Sequence, residues 1–494
     1  MKIRRPSNSL AFTLRRQGIA KPDRWLKLSA LGLTLALAFL LHPLKVMAEN
    51  EDGLTVESIE HARQLRDHAL AGTRAFEWVE SLTTEVGPRL AGSEAEARAR
   101  DWAVSQLKQL GFSNVRVEPF DIEGWQRETE LAWVVTPGHQ PLAVTALGGS
   151  VSTPDGGIEA EVAYFANLQA LEAAPAGSLQ DKIAYVSHAM KRTQDGSHYG
   201  YFGRLRRTGA SVAASKGAIG LLIRSIGTDS HRMPHTGALR YAPDQPKIAA
   251  AALSNPDADQ LERLLARYPS VTVGLLVSTK FTGVVASGNV IAEIPGWQYP
   301  EQIVVMGGHL DSWDLGTGAI DDGAGVAISL EAARLILESG KRPRRTVRLI
   351  FWGAEEVGLL GGHAYRTAYS DSLDLHVVGS ESDFGAGRIW RTSSYAPKAG
   401  PLIDTIEALL EPLGIMPGSR DQAGAGPDLT PMISAGMPSF RLHQDGRDYF
   451  DLHHTADDTL DKISAAELDQ NVAAFLVFAW LAADSEISDW GWPR

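Results

Sequence analysis

Two adjacent aspartates and a nearby histidine stand out in the segment GGHLDSWDLGTGAIDDGAG, residues 307–325. His309, Asp311, Asp321 and Asp322 lie there among mostly small and apolar residues. Further polar clusters follow along the chain: Glu355 with Glu356, Asp383 in ESD, and His453 with His454 in HHT. Carboxylates in such numbers repel one another at close range unless cations neutralise them. The residue types therefore predict a metal centre, provided that the fold brings the clusters together.

The elements that must position these clusters are strands and helices in alternation. Three nearly continuous apolar runs, QIVVMGGH, TVRLIFWGA and LHVVGSESD, each end in polar or charged residues, and GAGVAISLEAARLILESG has a helical apolar repeat between the first two. Continuous apolar strands joined by helices predict a parallel sheet covered on both faces. Ligand sites in such sheets form outside the carboxyl ends of the strands. We therefore expect all the clusters to converge at one edge of the sheet.

The chemistry of such a centre follows from its donor types. The chain contains no cysteine, so two imidazoles and several carboxylates are the available ligands, and they suit zinc or another borderline divalent ion. One shared carboxylate bridges two metals about 3.5–4 Å apart in hydrolytic centres. An adjacent carboxylate that is not a ligand then serves as the general base.

Each cluster on its own also has a plain structural interpretation. His309 would fit a turn that satisfies its ring with a backbone carbonyl, and the AEE sequence at Glu355 would complement a helix dipole. The joint occurrence of four clusters, three of them at strand ends, favours the dinuclear metal interpretation. No HExxH, GxSxG or GxxxxGK[ST] motif occurs in the sequence, and no glycine-rich segment completes GxGxxG after a strand.

The ordered motifs GGHLDSW, AIDDGAG, FWGAEEVGL, ESDFG and HHTADDT resemble those of the M28 metallopeptidases, the co-catalytic zinc exopeptidases. VGPRLAGS, LLIRS, MPHTG and PKI extend the resemblance to a carboxypeptidase Q-like subgroup over essentially the whole mature chain. The resemblance implies a mixed, mostly parallel α/β sheet sandwiched by helices, of the phosphorylase/hydrolase-like kind. It also implies an inserted β-rich domain of the protease-associated type and two zinc ions per chain.

The resemblance further implies a role for each motif residue. His309 and Asp383 would bind one zinc ion, Glu356 and His454 the other, and Asp321 would bridge them. His454 is preferred to His453 because the family histidine stands directly before Thr or Ser. Glu355 would be the general base, and Asp311 would hydrogen-bond the far nitrogen of His309. A cis peptide between Asp321 and Asp322 is also implied.

The substrate side is less completely specified by the resemblance. Some family members have a Tyr just upstream of an Asp in the loop corresponding to DQAGAGPDL, where this sequence has Gly and Ala. Asp428 in that loop, Tyr449 and His235 are the candidate substrate-binding residues. The function expected is hydrolysis of dipeptides or short peptides by a homodimer. The alternatives are a receptor-like or binding protein on the same scaffold, and an aminoacyl cyclase.

Composition along the chain predicts how these parts are divided. Short β-like runs separated by Gly, Pro and Asp occupy residues 126–284, and we interpret them as the inserted domain. Residues 49–125 and 285–494 would then form the two parts of the catalytic domain.

The N-terminal segment predicts export. A basic stretch precedes the apolar run LSALGLTLALAFLL at residues 28–41, and VMAEN follows, so residues 1–48 are typical of a secretory signal; an uncleaved anchor is the alternative. The formal charge is −12 although these 48 residues are basic, which argues against nucleic acid as a partner. Without cysteine the exported chain would have no disulfides, and a periplasmic or secreted location without stable membrane insertion is expected.

Overall fold

The computed structural model describes residues 51–422 and 424–492. The signal or anchor predicted for residues 1–48 lies outside this range. None of the helices in the described range combines the length and the apolar character that a membrane span requires.

The strands of the described residues belong to one continuous hydrogen-bonded sheet. Their bounds are β1 Ser113–Thr136, β2 Gln140–Leu142, β3 Val144–Ala146, β4 Ile158–Phe165, β5 Ile183–Val186, β6 Gly220–Arg224, β7 Ala249–Leu253, β8 Thr272–Ile294, β9 Tyr299–His309, β10 Arg345–Trp352, β11 His376–Glu381, β12 Ile389–Tyr395 and β13 Ser439–Gln444.

The helices range from a single turn to 20 residues. Their bounds are α1 Val56–Leu70, α2 Ala75–Glu85, α3 Glu94–Gln109, α4 Leu168–Glu172, α5 Tyr199–Ser215, α6 Asn255–Leu265, α7 Ala324–Glu338, α8 Leu360–Ala368, α9 Gly400–Leu410, α10 Thr430–Ile433, α11 Tyr449–Leu452 and α12 Ala465–Asp484. A π-helical turn at Ala319–Gly323 leads into α7, and short 3-10 turns lie at Leu373–Leu375, Glu411–Leu413 and Leu460–Lys462.

The sheet is mixed, with a parallel centre. Its strand order is β12-β13-β11-β9-β10-β8-β4-β5-β6-β7-β3, and β1 lies along β8. Strands β13, β11, β9 and β10 run parallel, and so do β4 to β7, whereas β8 and β12 are antiparallel to their neighbours in the first group. The predicted α/β class with a mixed sheet is therefore confirmed.

Helices cover both faces of the central strands. Along β10, Leu349 and Phe351 belong to the core that contains α7 and α12, whereas Ile350 and Trp352 belong to a second core with Tyr365 of α8. Side chains of successive strand residues point to opposite faces, so a strand covered on both sides must be apolar throughout. The run from Leu349 to Trp352 is accordingly apolar without alternation, whereas Thr346 and Arg348 nearer the start of β10 are buried with polar partners.

Helix α12 lies beneath the centre of the sheet. It contacts α1, α7, α9, β9 and β10, and its residues from Gln470 to Ala483 are all buried. The ring of Phe478 stacks on that of Phe440 in β13, with centroids 5.1 Å apart. A helix buried on all sides has no polar face, which is why its sequence shows little periodicity.

Two long strands connect the predicted catalytic and inserted regions. β1 and β8 pair antiparallel from Ser113 with Glu293 to Thr136 with Thr272. The predicted boundaries at 125/126 and 284/285 fall inside β1 and β8 respectively. The division into domains stays a prediction.

Phe478→Ala is expected to lower the free energy of unfolding by about 3–5 kcal/mol, because it leaves a cavity under the sheet. Denaturant unfolding of metal-free protein measures this change. Leu131→Ala is the matched control, since its side chain is 53% exposed, and a loss below about 0.5 kcal/mol is expected there. Equal losses in the two variants would contradict the central role of α12.

Candidate metal centre and active site

The predicted ligands meet at the carboxyl ends of three neighbouring strands. His309 is the last residue of β9 and is paired in register with Trp352, the last residue of β10. The Glu355–Glu356 pair follows β10, and Asp383 follows β11, which flanks β9 on its other side. Because all three strands are parallel, their polar ends share one edge of the sheet.

Asp321 stands between two groups of ligand atoms. On one side its Oδ1 is 3.0 Å from His309 Nε2, which is 3.8 Å from Asp383 Oδ1. On the other side its Oδ2 is 3.2 Å from His454 Nε2, which is 3.0 Å from Glu356 Oε2. One carboxylate thus touches both groups, which is the geometry of a bridging ligand.

His453 also enters the cluster, although the sequence analysis left it out of the ligand set. Its Nε2 is 3.5 Å from Asp321 Oδ2, and its ring stacks on that of His454 with centroids 3.5 Å apart. Asp321, His453 and His454 have potential ligand atoms within 4.8 Å of one another, as do His309, Asp321 and Asp383. His454 makes the shorter contact with Asp321 and is the one paired with Glu356.

The electrostatics of the cluster fit a site for cations. Burial and the charge of Asp321 raise the pKa of Glu356 well above its usual value, and burial raises the pKa of Asp383 to about 6. Burial also raises the pKa of Asp321, but the hydrogen bond with His309 and the close contact with His454 outweigh it and hold that pKa well below its usual value. Asp321 Oδ2 and Glu356 Oε1 are buried without a hydrogen-bond partner. Such orphaned carboxylate oxygens are what a divalent cation satisfies.

Asp311 fixes the loop that carries the two glutamates. Its Oδ1 accepts from Glu355 N at 3.0 Å, and its Oδ2 accepts from Glu356 N at 3.3 Å. The far nitrogen of His309 lies 2.9 Å from the backbone carbonyl of Asp311 and 3.7 Å from its carboxylate. Asp311 therefore orients His309 through its main chain, while its side chain holds the glutamate loop.

Two further aspartates position Asp321. Asp322 accepts hydrogen bonds from the backbone N–H groups of His309 and Gly325, both at 3.0 Å. Asp458 accepts from those of Ile320 and Asp321. The peptide bond between Asp321 and Asp322 is cis, as the resemblance implies. Asp458 lies in the HHTADDT motif, so its proximity to the histidines was the signal that could have identified it.

The sequence analysis also missed the role of Arg89, which lies in the VGPRLAGS segment. Its fully buried guanidinium donates to the carbonyls of Leu310, Thr317 and Gly318. Burial lowers the pKa of Arg89 below its usual value, and the nearby aspartates offset only part of this effect. Arg89 thus fixes the loop between His309 and Asp321.

The region between β1 and β8 holds His454, the second histidine of the cluster. Thr236 N donates to the carbonyl of His454 at 3.0 Å, and His454 Nδ1 lies 3.3 Å from Thr236 O. Arg206 Nη1 lies 3.2 Å from the same ring nitrogen. A Cβ on Gly237 would come within 2.3 Å of Arg206, so glycine is needed beside this contact. Thr236 and Arg206, which are far from His454 in the sequence, therefore both fix the position of its ring.

The three candidate substrate residues lie in different surroundings. Tyr449 lines the cavity beside Asp321 and Asp383. Asp428 is fully buried, and neither of its carboxylate oxygens has a hydrogen-bond partner. His235 is also buried, with Nδ1 2.7 Å from the carbonyl of His453 and Nε2 2.7 Å from Asp229. In this conformation His235 supports the histidine loop instead of facing the cavity.

A cavity of about 810 Å³ opens onto the cluster. Asp321, Glu355, Glu356, Asp383 and His454 all contribute to its lining. The region between β1 and β8 contributes further lining residues, among them Tyr199, Arg206 and Arg240. Its volume suits a small ligand or a short peptide.

Comparisons with known proteins agree with this architecture. The family model for peptidase family M28 matches residues 289–479. Carboxypeptidase Q of Bos taurus is 35% identical over 420 residues, which cover 84% of this chain and 86% of that protein.

Solved structures give the same result. The crystal structure of a peptidase M28 precursor from Shewanella amazonensis SB2B is 45% identical, with a TM-score of 0.87 over 90% of this chain and 100% of that one. The structure of BSAP, a zinc aminopeptidase from Bacillus subtilis, is 21% identical with a TM-score of 0.58, over 84% of this chain and 98% of that one, and so shares the fold.

Asp311→Asn is expected to lower the free energy of unfolding by about 1–3 kcal/mol, because an amide has one acceptor oxygen for two backbone N–H groups. We also expect divalent metal affinity to fall about 10- to 100-fold. Denaturant unfolding and chelator competition measure the two effects. Asp374→Asn, at an exposed position, is the matched control. Wild-type metal affinity and stability in Asp311→Asn would show that the loop does not depend on this carboxylate.

Proposed function

Because this chain belongs to peptidase family M28, we propose that it is a dinuclear zinc exopeptidase that hydrolyses dipeptides or short peptides. Membership makes it a metallopeptidase. The proposal of two zinc ions rests on the arrangement around Asp321, whose two carboxylate oxygens face separate pairs of potential ligands. Two imidazoles with carboxylates and no thiolate suit zinc.

The proposed ligands are those of the two groups already described. His309 and Asp383 would hold one ion, Glu356 and His454 the other, and Asp321 both. Zinc bound there would lower the pKa of water and polarise a peptide carbonyl.

Glu355 is the proposed general base. It lines the cavity, is half-buried, and follows the strand end directly before the ligand Glu356. The hydrogen bond from its N–H to Asp311 limits where the side chain can lie. Its carboxylate would accept the proton of the attacking water and deliver it to the nitrogen of the leaving amine.

Tyr449 is the proposed donor to the oxyanion. Its hydroxyl has no hydrogen-bond partner in the described part of the chain, although the residue is mostly buried at the cavity wall. Burial, with the charges of Asp321 and Asp383, raises the pKa of Tyr449 well above its usual value and keeps the hydroxyl protonated. A neutral phenol can donate a hydrogen bond to the developing charge.

The limited cavity and the relative named carboxypeptidase Q support cleavage at the end of a short peptide. The signal-like residues 1–48 support a site of action outside the cytoplasm. We accordingly propose an exported enzyme.

Glu355→Gln is expected to lower kcat/KM on a dipeptide panel by about 10²- to 10⁴-fold, because the amide cannot take the proton. Release of free amino acids is the measurement, with metal content determined in parallel. Glu301→Gln, at an exposed position at the start of β9, is the matched control and should behave as wild type.

The same panel separates the alternatives. A zinc-loaded wild type that releases no amino acid from any dipeptide would refute the proposed activity. Cyclised products would instead identify an aminoacyl cyclase. An undiminished Glu355→Gln would exclude Glu355 as the base while leaving the activity in place.

Asp383→Ala is expected to reduce bound zinc from about two ions to about one per chain, because one site loses a ligand and the other keeps its own. Elemental analysis after dialysis measures the stoichiometry. Zinc in 100-fold excess over Kd should stabilise the wild type by about 2.7 kcal/mol per site. The exposed Asp371→Ala serves as control, and one zinc ion in the wild type would contradict a dinuclear centre.

A further inference from the structure

Arginines line the cavity beside the acidic cluster. They are Arg206, Arg207 and Arg240 from the inserted region, with Arg391 and Arg441 from β12 and β13. Within the described residues, only Arg391 has a carboxylate at ion-pair distance, namely Asp195 at 3.6 Å. The cavity therefore combines a metal-binding floor with cationic walls that lack close counter-charges.

Arg391 and Arg441 belong to one wall. In the antiparallel pair β12–β13, Arg391 lies opposite His443, and Ser393 lies opposite Arg441. Side chains opposite each other, or two apart on one strand, share a face of the sheet. These four side chains therefore project together, while Phe440 packs on the other face against Phe478.

The two guanidinium groups of this wall have unused donors. Arg441 makes no hydrogen bond or ion pair with any other described side chain, and Arg391 Nε is buried without a partner. Burial lowers the pKa of Arg441, the carboxylate of Asp383 raises it, and the neighbouring charge of Arg391 lowers it again. Two adjacent half-buried cations are unfavourable unless an anion lies between them.

The other groups of the wall do not supply that anion. Burial and the two arginines lower the pKa of His443 to about 3, so its ring is neutral, and its Nε2 is 2.7 Å from Ser393 Oγ. Three carboxylates act on the pair. Asp195 Oδ2 is 3.6 Å from Arg391, Glu381 Oε2 already accepts from the backbone N–H groups of Asp428 and Leu429, and Asp383 belongs to the metal-ligand set.

The wall lies within reach of the reaction centre. β13 runs parallel to β11 with Ser439 beside Gly379, so Arg441 is level with Glu381, two residues before Asp383. One peptide residue spans about 3.3–3.6 Å. A carboxylate one residue from the scissile bond would therefore reach the arginine pair while the peptide carbonyl lies at the ligand cluster.

We propose that Arg391 and Arg441 bind a substrate carboxylate and make the enzyme prefer peptides that carry one a single residue from the scissile bond; this inference rests on the exopeptidase function proposed above. Guanidinium forks bind carboxylates with two parallel hydrogen bonds, which a lysine cannot reproduce. The carboxylate comes either from the free C-terminus of a dipeptide or from an acidic side chain.

Matched substrate pairs test the proposal with the zinc-loaded protein. Ala-Ala against Ala-Ala-amide varies the terminal carboxylate, and Glu-Ala against Gln-Ala varies the side-chain carboxylate. In at least one pair we expect the carboxylate-bearing member to have a kcat/KM about 10- to 100-fold higher, mainly through KM. The pair that discriminates identifies the source of the carboxylate.

Variants assign the preference to the wall. Arg391→Gln and Arg441→Gln should each abolish most of the kcat/KM preference for the carboxylate-bearing substrate. Arg441→Lys should keep part of that preference. Arg240→Gln is the matched control, since Arg240 lines the same cavity from the inserted region. Zinc content and melting curves show whether each variant is folded; if Arg441→Gln is not, Arg391→Gln and Arg441→Lys provide the test.

Two results would overturn the inference: equal hydrolysis of both members of every pair by the wild type, or a preference that disappears only in Arg240→Gln. Calorimetric binding of the same peptides to zinc-loaded Glu355→Gln gives a readout that does not depend on turnover. Absence of all hydrolysis would refute the proposed function, whereas the binding preference would still decide the role of the arginines.

Discussion

Mutual repulsion among buried carboxylates is the constraint on which this structure depends. Asp321, Glu356 and Asp383 gather within a few ångströms of two histidines at the end of the sheet, and two of the oxygens there have no hydrogen-bond partner. A chain alone gains nothing from such an arrangement, because burial opposes ionisation. The negative charge of the cluster therefore requires cations bound among its carboxylates.

Most of the surrounding polar side chains hydrogen-bond to main-chain groups near the cluster. They do not contact the side chains of the predicted metal ligands. Asp311 holds the two glutamates by their N–H groups, Asp458 holds Asp321 in the same way, and Arg89 holds carbonyls of the intervening loop. Main-chain anchoring leaves the ligand side chains free to face the site. Thr236, which lies between β1 and β8, holds His454 in the same way by donating its N–H to the His454 carbonyl.

The sequence was sufficient for the parts whose pattern is local. Apolar strands with polar ends predicted the edge of the sheet where His309 and Asp383 lie. Contacts between distant segments could not be predicted. The carboxylate of Asp311 was expected on His309, but it turns to the glutamate loop, because two unpaired N–H groups are stronger competitors than a ring already satisfied by a carbonyl. The proximity of Arg391 and Arg441 could not be predicted from the sequence, since only the pairing of β12 with β13 brings them together.

The ladder between β1 and β8 has a mechanical consequence. These strands remain paired over almost their whole length, from Ser113 with Glu293 to Thr136 with Thr272, and the pairing resumes after each of four register shifts. A hinge motion between the two regions that β1 and β8 join would require breaking many of these hydrogen bonds at once. Backbone pairing, and not side-chain contact alone, therefore sets the distance between the two regions that the ladder joins.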